Sequence, residues 1–299
     1  SVSSKTKSSK NKVAVLLAAY NGEAWIKEQL DSILKQIDVE IYLFISIDLS
    51  IDSTYELCEQ YAQKYKNIVI LEYGEHFSGA AKNFYRLILD VNFLDFDYVS
   101  LADQDDLWLP GKLSYAINSL KANNVEAYSS NVSAFWESGK RKLVKKSYPQ
   151  KKFDHYFESA GPGCTYVLKR NSAQSLKIFI ESNWMSVNKI ELHDWLIYAF
   201  FRSNQMLWHI DSKVFMLYRQ HELNQVGSNF GFLAYSKRIK MIKSGWYRSE
   251  VKKISEMVKV NDYCTFDLGR WFLIKNFYQL RRRNRDVFIL LLMVLTGFF

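Results

Sequence analysis

Between residues 13 and 103 the chain alternates short apolar runs with segments of helical period. VAVLLAA at 13–19 ends at Tyr20-Asn21-Gly22, and Trp25, Ile26, Leu30, Ile33 and Leu34 then recur at helical spacing. IYLFISI at 41–47 ends at Asp48, and Leu57, Tyr61 and Tyr65 mark a second helix. NIVILEY at 67–73 reads as a third strand, Ser78 to Asp90 as a helix, and DYVSLAD at 97–103 as a fourth strand. Strands and helices in strict alternation predict an α/β fold with a mostly parallel sheet and helices on both faces. In such sheets ligands bind beyond the carboxyl ends of the strands. Tyr20-Asn21, Asp48 and Asp103 to Asp106 fall at those ends, so the polar residues converge on one edge.

The second half is less regular. Residues 126–135 read as a strand, Gly161-Pro162-Gly163 as a turn, and TYVLKR at 165–170 as another strand. Helical patterns cover 171–181 and 194–203, KVFMLYRQH at 213–221 reads as a strand, and from about 232 the pattern is helical to the end. No internal repeat is visible. With 48% apolar residues, 16% aromatic, and only 3 prolines and 12 glycines, the composition excludes a disordered, collagen-like or linker-rich chain. Cys58, Cys164 and Cys264 are far apart, odd in number and at no metal-binding spacing, which argues against a disulfide framework or a zinc site and for a reducing compartment.

Residues 1–12, SVSSKTKSSKNK, lack the apolar core of a secretory signal and are expected to be a disordered leader or an expression remnant. The net charge of +9 is concentrated: residues 231–286 hold fourteen Lys/Arg against five Asp/Glu, leaving residues 1–230 neutral overall. LRRRNRD then leads into VFILLLMVLTGFF, residues 287–299, whose thirteen residues are fewer than the roughly 20 that span a bilayer. A basic segment ending in an apolar one suits an anionic membrane surface; the alternative is a buried last helix with a solvated basic face. Nucleic acid is not expected as a partner, because the basic stretch carries no recognition motif.

LADQDDLWLP, residues 101–110, crowds Asp103, Asp105 and Asp106 into four positions. Such carboxylates repel one another strongly unless a cation neutralises them. Oxygen ligands with no nearby cysteine favour a hard metal, Mg2+ or Mn2+, which keeps positions open for phosphate oxygens. An EF-hand is excluded: a loop starting at Asp103 would have Trp108 at its glycine position and Ser114 at its final glutamate position. The alternative is a solvated acidic turn capping a helix that Pro110 begins.

VAVLLAAYNG, SIDLSIDST, LADQDDLWLPGKL, GPGCTYVLKR, ELHDWLIYAF and YRQHELNQVG stand in the order and approximate spacing found in family 2 inverting glycosyltransferases of the GT-A fold. Over roughly residues 13–227 the chain resembles bacterial rhamnosyltransferase-like members of that family. The resemblance implies donor contacts at Ala19, Tyr20 and Asn21, and at Asp48 beside the nucleoside, with Ile47 where members often carry a further aspartate. Lys82 and Asn83 resemble a basic-Asn pair near the donor, with Phe77 where many members have glycine. Asp103-Gln104-Asp105 matches the Asp-x-Asp motif: Asp105 would ligate the metal, Asp103 would approach the ribose, Gln104 would lie along the donor, and Asp106 would support them. His221 matches a position that can approach the metal or diphosphate. Asp194 corresponds to the catalytic base; read by itself it would be a helix N-cap. His193 would orient its neighbour or the acceptor. Trp195, like Trp108, would be a sugar-facing wall or simply core.

The resemblance therefore implies a GT-A-type α/β domain at 13–227, after the leader at 1–12 and before a helical basic C-terminal region at 228–299. It implies metal-dependent, inverting transfer of a sugar, such as L-rhamnose from dTDP-L-rhamnose, from a nucleotide-diphosphate donor to a lipid-linked saccharide acceptor in cell-surface polysaccharide synthesis. The expected location is cytoplasmic, peripheral at the inner face of the cell membrane. Two other classes use similar residues: a nucleotidyltransferase, which would release pyrophosphate, and a membrane-tethered protein that binds nucleotide sugars without turning them over.

Overall fold

A computed structural model describes residues 9–221, 244–258 and 266–299. Residues 1–8 of the expected leader, the expected boundary at 227/228 and the basic stretch 231–243 lie outside the described residues. The first strand, β1 (Asn11–Ala19), takes in the last two residues assigned to the leader. It is followed by α1 (Ile26–Leu34), β2 (Val39–Ile47), α2 (Thr54–Lys64), β3 (Ile68–Ile70), α3 (Ala80–Asp90) and β4 (Tyr98–Asp103). These seven elements match the alternation of apolar runs and helical segments in the sequence.

Strand order in the sheet is β3-β2-β1-β4, all parallel. β1 is buried along almost its whole length because both its faces are covered. Val13, Val15 and Leu17 enter one core with α1 and the helix at 112–123, while Leu16 and Ala18 enter the other with α3 and the helices at 170–182 and 193–203. Chain order reverses between β1 and β4, and their ends are in register, Ala18 opposite Asp103. A crevice at such a reversal is where an open α/β sheet receives a ligand.

The second half continues the sheet with mixed directions: β8 (Val167–Lys169) is antiparallel to β4, then come β6 (Ala127–Phe135), β9 (Trp208–Arg219) and β5 (Leu107–Trp108), with β7 (Arg141–Val144) on the flank of β6. Pro110 does not begin a helix. Leu107 and Trp108 pair with Leu217 and Met216 as β5, Leu109 N–H donates to the Phe215 carbonyl, and α4 (Lys112–Asn123) starts two residues later. The partner strand lies more than a hundred positions away, so no local pattern announces it.

Helices α5 (Arg170–Ser182), α6 (Trp184–Val187) and α7 (His193–Ser203) cover one face. The C-terminal segment forms α8 (Trp246–Val258), α9 (Arg270–Lys275) and α10 (Asn284–Thr296). It is not a detached tail: Val251, Ile254, Phe266, Leu273, Leu280, Leu290, Val294 and Phe299 are buried in the same core as α3, α5 and α7. Nor is its charge wholly presented to solvent. Arg282 is buried and donates to Asp154, at 3.1 Å, and to the Ser159 carbonyl, at 2.6 Å, while Arg281 pairs with Glu158 and Asp286.

Candidate active site

A cleft of about 550 Å3 opens where the ends of β1, β2 and β4 meet the starts of α3 and α7. Ala19, Tyr20, Asn21, Asp48, Asp103, Gln104, Asp105, His193, Asp194 and His221 line it; Lys82, Asp106 and Trp195 do not. Lys82 stands in the first turn of α3, next to Asn83, which does reach the wall. Trp195 is core, its indole N–H donating to the His155 carbonyl at 3.0 Å, and Trp108 is buried likewise. Neither is a sugar-facing wall.

The end of β1 is held by side chains from its neighbours. Gln104 brackets the Tyr20 peptide, accepting from its N–H at 2.6 Å and donating to its carbonyl at 2.7 Å. Both ends of that amide are therefore engaged with main chain, and Gln104 shapes the wall through Tyr20. A Cβ at Gly22 would come within 2.3 Å of Gln104 Oε1, which explains the glycine. Asn21, at a φ of 43°, accepts from the Ile51 N–H at 2.9 Å. Asn83 donates to the carbonyls of Ala19 and Ser46, and its own Oδ1 is buried without a hydrogen-bond partner among the described residues. Asp48 Oδ1 accepts from the Phe77 N–H at 2.9 Å and lies 3.0 Å from His76 Nδ1. His76, missed in the sequence, joins the site through the loop after β3.

The three carboxylates after β4 divide into two groups. Asp105 Oδ2 sits 2.6 Å from His221 Nε2, and the His221 ring stacks on Trp25 at 3.9 Å. Asp106 is buried behind them: its Oδ1 accepts from the Arg219 N–H at 3.2 Å, and its Oδ2 has no hydrogen-bond partner among the described residues. Burial, then Asp105 and Asp194, push the Asp103 carboxyl up to about 7. Burial, then Asp105 and Asp103, push Asp106 up as well. Carboxylates that raise one another in this way, with a buried oxygen left without a partner among the described residues, fit a divalent cation. Cys164, far away in sequence, is an unexpected neighbour: the ligand-capable atoms of Asp103, Asp106 and Cys164 lie within 4.8 Å of one another. Burial and the same two aspartates push its thiol up, so it remains S–H beside the two carboxylates. The expectation that no cysteine lies near the motif is therefore corrected.

On the opposite wall Gly161-Pro162-Gly163 separates two ionisable groups. A Cβ at Gly161 would meet the Lys146 stem at 3.2 Å, and one at Gly163 would meet His193 Nε2 at 2.7 Å and Asp194 Cβ at 3.2 Å. The two glycines let these side chains close on the turn from either side. Asp194 is not the N-cap of α7. It lies in the first turn, its Oδ1 accepting from the Trp195 N–H at 2.8 Å. Burial pushes its carboxyl up to about 6, opposed by that N–H and by Lys146. His193 stacks on Phe84 at 4.1 Å, and burial drives it down to about 3, so it is neutral at physiological pH. Lys146 was not singled out in the sequence, where it is one of several lysines in a basic loop. Asn131 fixes it by accepting its backbone N–H.

Residues 14–185 match the family described as Glycosyl transferase family 2. The dTDP-rhamnosyl transferase RfbG of Shigella flexneri is 45% identical over 289 residues, covering 95% of this chain and 100% of that protein. The UDP-Glc:alpha-D-GlcNAc-diphosphoundecaprenol beta-1,3-glucosyltransferase WfgD of Escherichia coli is 25% identical over 53% of this chain and 60% of its own length. Among solved structures, residues 1–349 of S. aureus TarS with UDP-GlcNAc superpose with a TM-score of 0.59 at 15% identity, covering 96% of this chain and 80% of that one. The mannosyltransferase PcManGT of Pyrobaculum calidifontis, in complex with GDP-Man and Mn2+, superposes with a TM-score of 0.52 at 16% identity, covering 89% and 72%. These likenesses establish the GT-A fold.

Proposed function

Because the chain belongs to glycosyl transferase family 2, and so is a glycosyltransferase, we propose that it moves L-rhamnose from dTDP-L-rhamnose to a hydroxyl of a lipid-linked saccharide, with inversion, at an anionic membrane surface on the cytoplasmic side. Support for the donor comes from the dTDP-rhamnosyl transferase relative, which this chain matches along its whole length. The observation that carries the mechanism is that one cleft is lined by the Asp105–His221 pair, by Asp194 and by the ends of β1 and β2.

In this reading the donor nucleoside lies against Ala19, Tyr20, Asn21 and Asp48, and its ribose approaches Asp103. Mg2+ or Mn2+, held by Asp105 and His221 with Asp106 in support, would stabilise the charge of the departing nucleoside diphosphate. Asp194 takes the proton from the acceptor hydroxyl as that oxygen bonds to the anomeric carbon, while the bond from that carbon to the phosphate oxygen breaks. The Gly-Pro-Gly turn and the neutral His193 pack beside the base. Buried Asp106 and Cys164 stand beside Asp103 at the back of the site.

The test is a panel of nucleotide sugars offered with Mn2+ and a lipid-linked acceptor. Release of dTDP with rhamnosylated product supports the reading, whereas release of pyrophosphate from a nucleoside triphosphate would replace it with nucleotidyl transfer. Asp105→Ala should lose Mn2+-dependent donor binding, and wild-type binding by that variant would remove Asp105 from the metal site.

A further inference from the structure

Helix α10 has two apolar faces, and the core uses only one. Val287, Leu290 and Val294, with Phe299 just beyond, are buried against the protein. Phe288, Leu292 and Leu295, spaced four and three residues apart, form a second stripe that faces outward, with Phe288 63% and Leu292 61% exposed. Phe298 continues it at 58%. The stripe is extended at both ends by aromatic residues of neighbouring elements. Arg270 donates to the Leu295 carbonyl, bringing the start of α9, and Trp271 at 83% exposure, to the C-terminal end of α10. Phe277 packs against Phe288 with ring centroids 6.2 Å apart, bringing exposed Tyr278 to the N-terminal end.

A scattered apolar residue on a surface needs no explanation, but a contiguous aromatic and aliphatic stripe of this kind marks an interaction surface. Its surroundings select the partner. Arg270, Lys275 and Arg285 are exposed and Arg283 is half-exposed in the same segment, whereas Arg281 and Arg282 are turned inward onto acidic partners. A helix of 13 residues is about 20 Å long at about 1.5 Å per residue, short of the roughly 30 Å hydrocarbon core of a bilayer. No described helix is long and apolar enough to cross a membrane.

We propose that α10 lies in the plane of an anionic lipid surface, with Phe288, Leu292, Leu295, Phe298 and Trp271 entering the acyl boundary and the exposed arginines and lysine meeting the headgroups. This deepens the membrane contact of the proposed function and rests on it. Sequence offered two exclusive fates for residues 287–299, a lipid-binding segment or a buried helix. The two faces of α10 allow both at once, because the helix is docked on the core through one face and free on the other. Apolar area adds to electrostatic attraction in such interfacial helices, and neither alone gives firm binding.

Flotation of the full chain with phosphatidylcholine vesicles, with and without about 30% phosphatidylglycerol, tests the proposal at low and physiological salt. Wild type should float with the anionic vesicles and far less with the neutral ones. Phe288→Glu with Leu292→Glu should weaken partitioning by roughly tenfold or more, with unchanged circular dichroism and thermal unfolding because both side chains are outside the core. Absence of wild-type flotation, or equal flotation by the double variant, overturns the proposal. So does a wild-type dimer in sedimentation that the double variant dissociates without any vesicle binding, which would assign the stripe to a second copy. Transfer to a water-soluble acceptor analogue, measured on the same preparations, reports on the glycosyltransferase reading separately and should be the same in both proteins.

Discussion

As the proposed base, Asp194 would have to be ionised to accept a proton, yet it sits where a carboxylate is poorly solvated. The two demands meet near neutrality: burial lifts it to about 6, and the Trp195 N–H and Lys146 keep it from rising further. The rate of the chemical step should therefore fall on the acid side with an inflection near pH 6. Replacing Lys146 by Met should move that inflection upward, while Lys146→Arg should restore it; an unmoved profile in Lys146→Met would remove Lys146 from the base's environment. Stability carries the opposite sign. The folded carboxyl binds its proton more tightly than the unfolded one, so this group's contribution to stability is greatest below about pH 4 and is lost as pH rises through about 6. Asp194→Asn should consequently be more stable than wild type at pH 8, by roughly 1–3 kcal/mol, and lose that advantage at pH 4. Urea unfolding at the two pH values checks it. The convergence of Asp194 and the acidic motif on one cleft was legible from sequence resemblance, but Lys146 was not, because nothing in a basic loop distinguishes a lysine that folds against a glycine turn.

At the scale of elements, the parallel half of the sheet could be read from the chain because each strand is a local apolar run with its own helix. The ends of those runs also located the cleft, since strand polarity forces Ala19, Asp48 and Asp103 to one edge. What could not be read was long-range. β5 exists only because β9 supplies main-chain partners, and Cys164 reaches Asp103 and Asp106 only because the short Gly163–Thr165 helical turn packs against β4. The Gly-Pro-Gly turn was visible as a turn, but its purpose was not: Gly161 is needed for its φ of 122° and Gly163 for want of room. Gly163→Ala introduces a Cβ 2.7 Å from His193 Nε2 and 3.2 Å from Asp194 Cβ, and since the turn is buried those side chains must move. Turnover should drop by about tenfold or more while donor affinity stays within about threefold, as the donor wall lies on the other side of the cleft. Equal loss of both in steady-state and binding assays would mean that the turn supports the whole cleft.

For the whole molecule, the C-terminal segment behaves as a brace. Arg282, more than a hundred positions from its partners, donates to Asp154 and to the Ser159 carbonyl, and Ser159 is part of the cleft wall. Asp154 is fully buried and also receives Tyr198 and Arg202. Despite its burial, contacts from His155, Arg202 and Arg282 hold its carboxyl well below the usual carboxylate range. Arg282→Ala leaves a buried carboxylate short of one partner, a defect worth roughly 3 kcal/mol, and should lower the midpoint of thermal unfolding by about 5–10 °C. A midpoint within about 1 °C of wild type would show the segment to be an appendage. The basic count of residues 231–286 suggested a surface charge; the fold spends Arg281 and Arg282 on internal pairs, which leaves fewer cations and an apolar stripe for the proposed membrane contact.

The central claim is that Asp194 acts on the acceptor and not on the donor. It is tested most directly by measuring dTDP-L-rhamnose affinity, in the presence of Mn2+, and turnover side by side for wild type and Asp194→Asn. The account predicts an unchanged dissociation constant with turnover reduced by roughly 10² to 10⁴, the range for a lost general base. Wild-type turnover in Asp194→Asn, or donor binding lost together with activity, would contradict it.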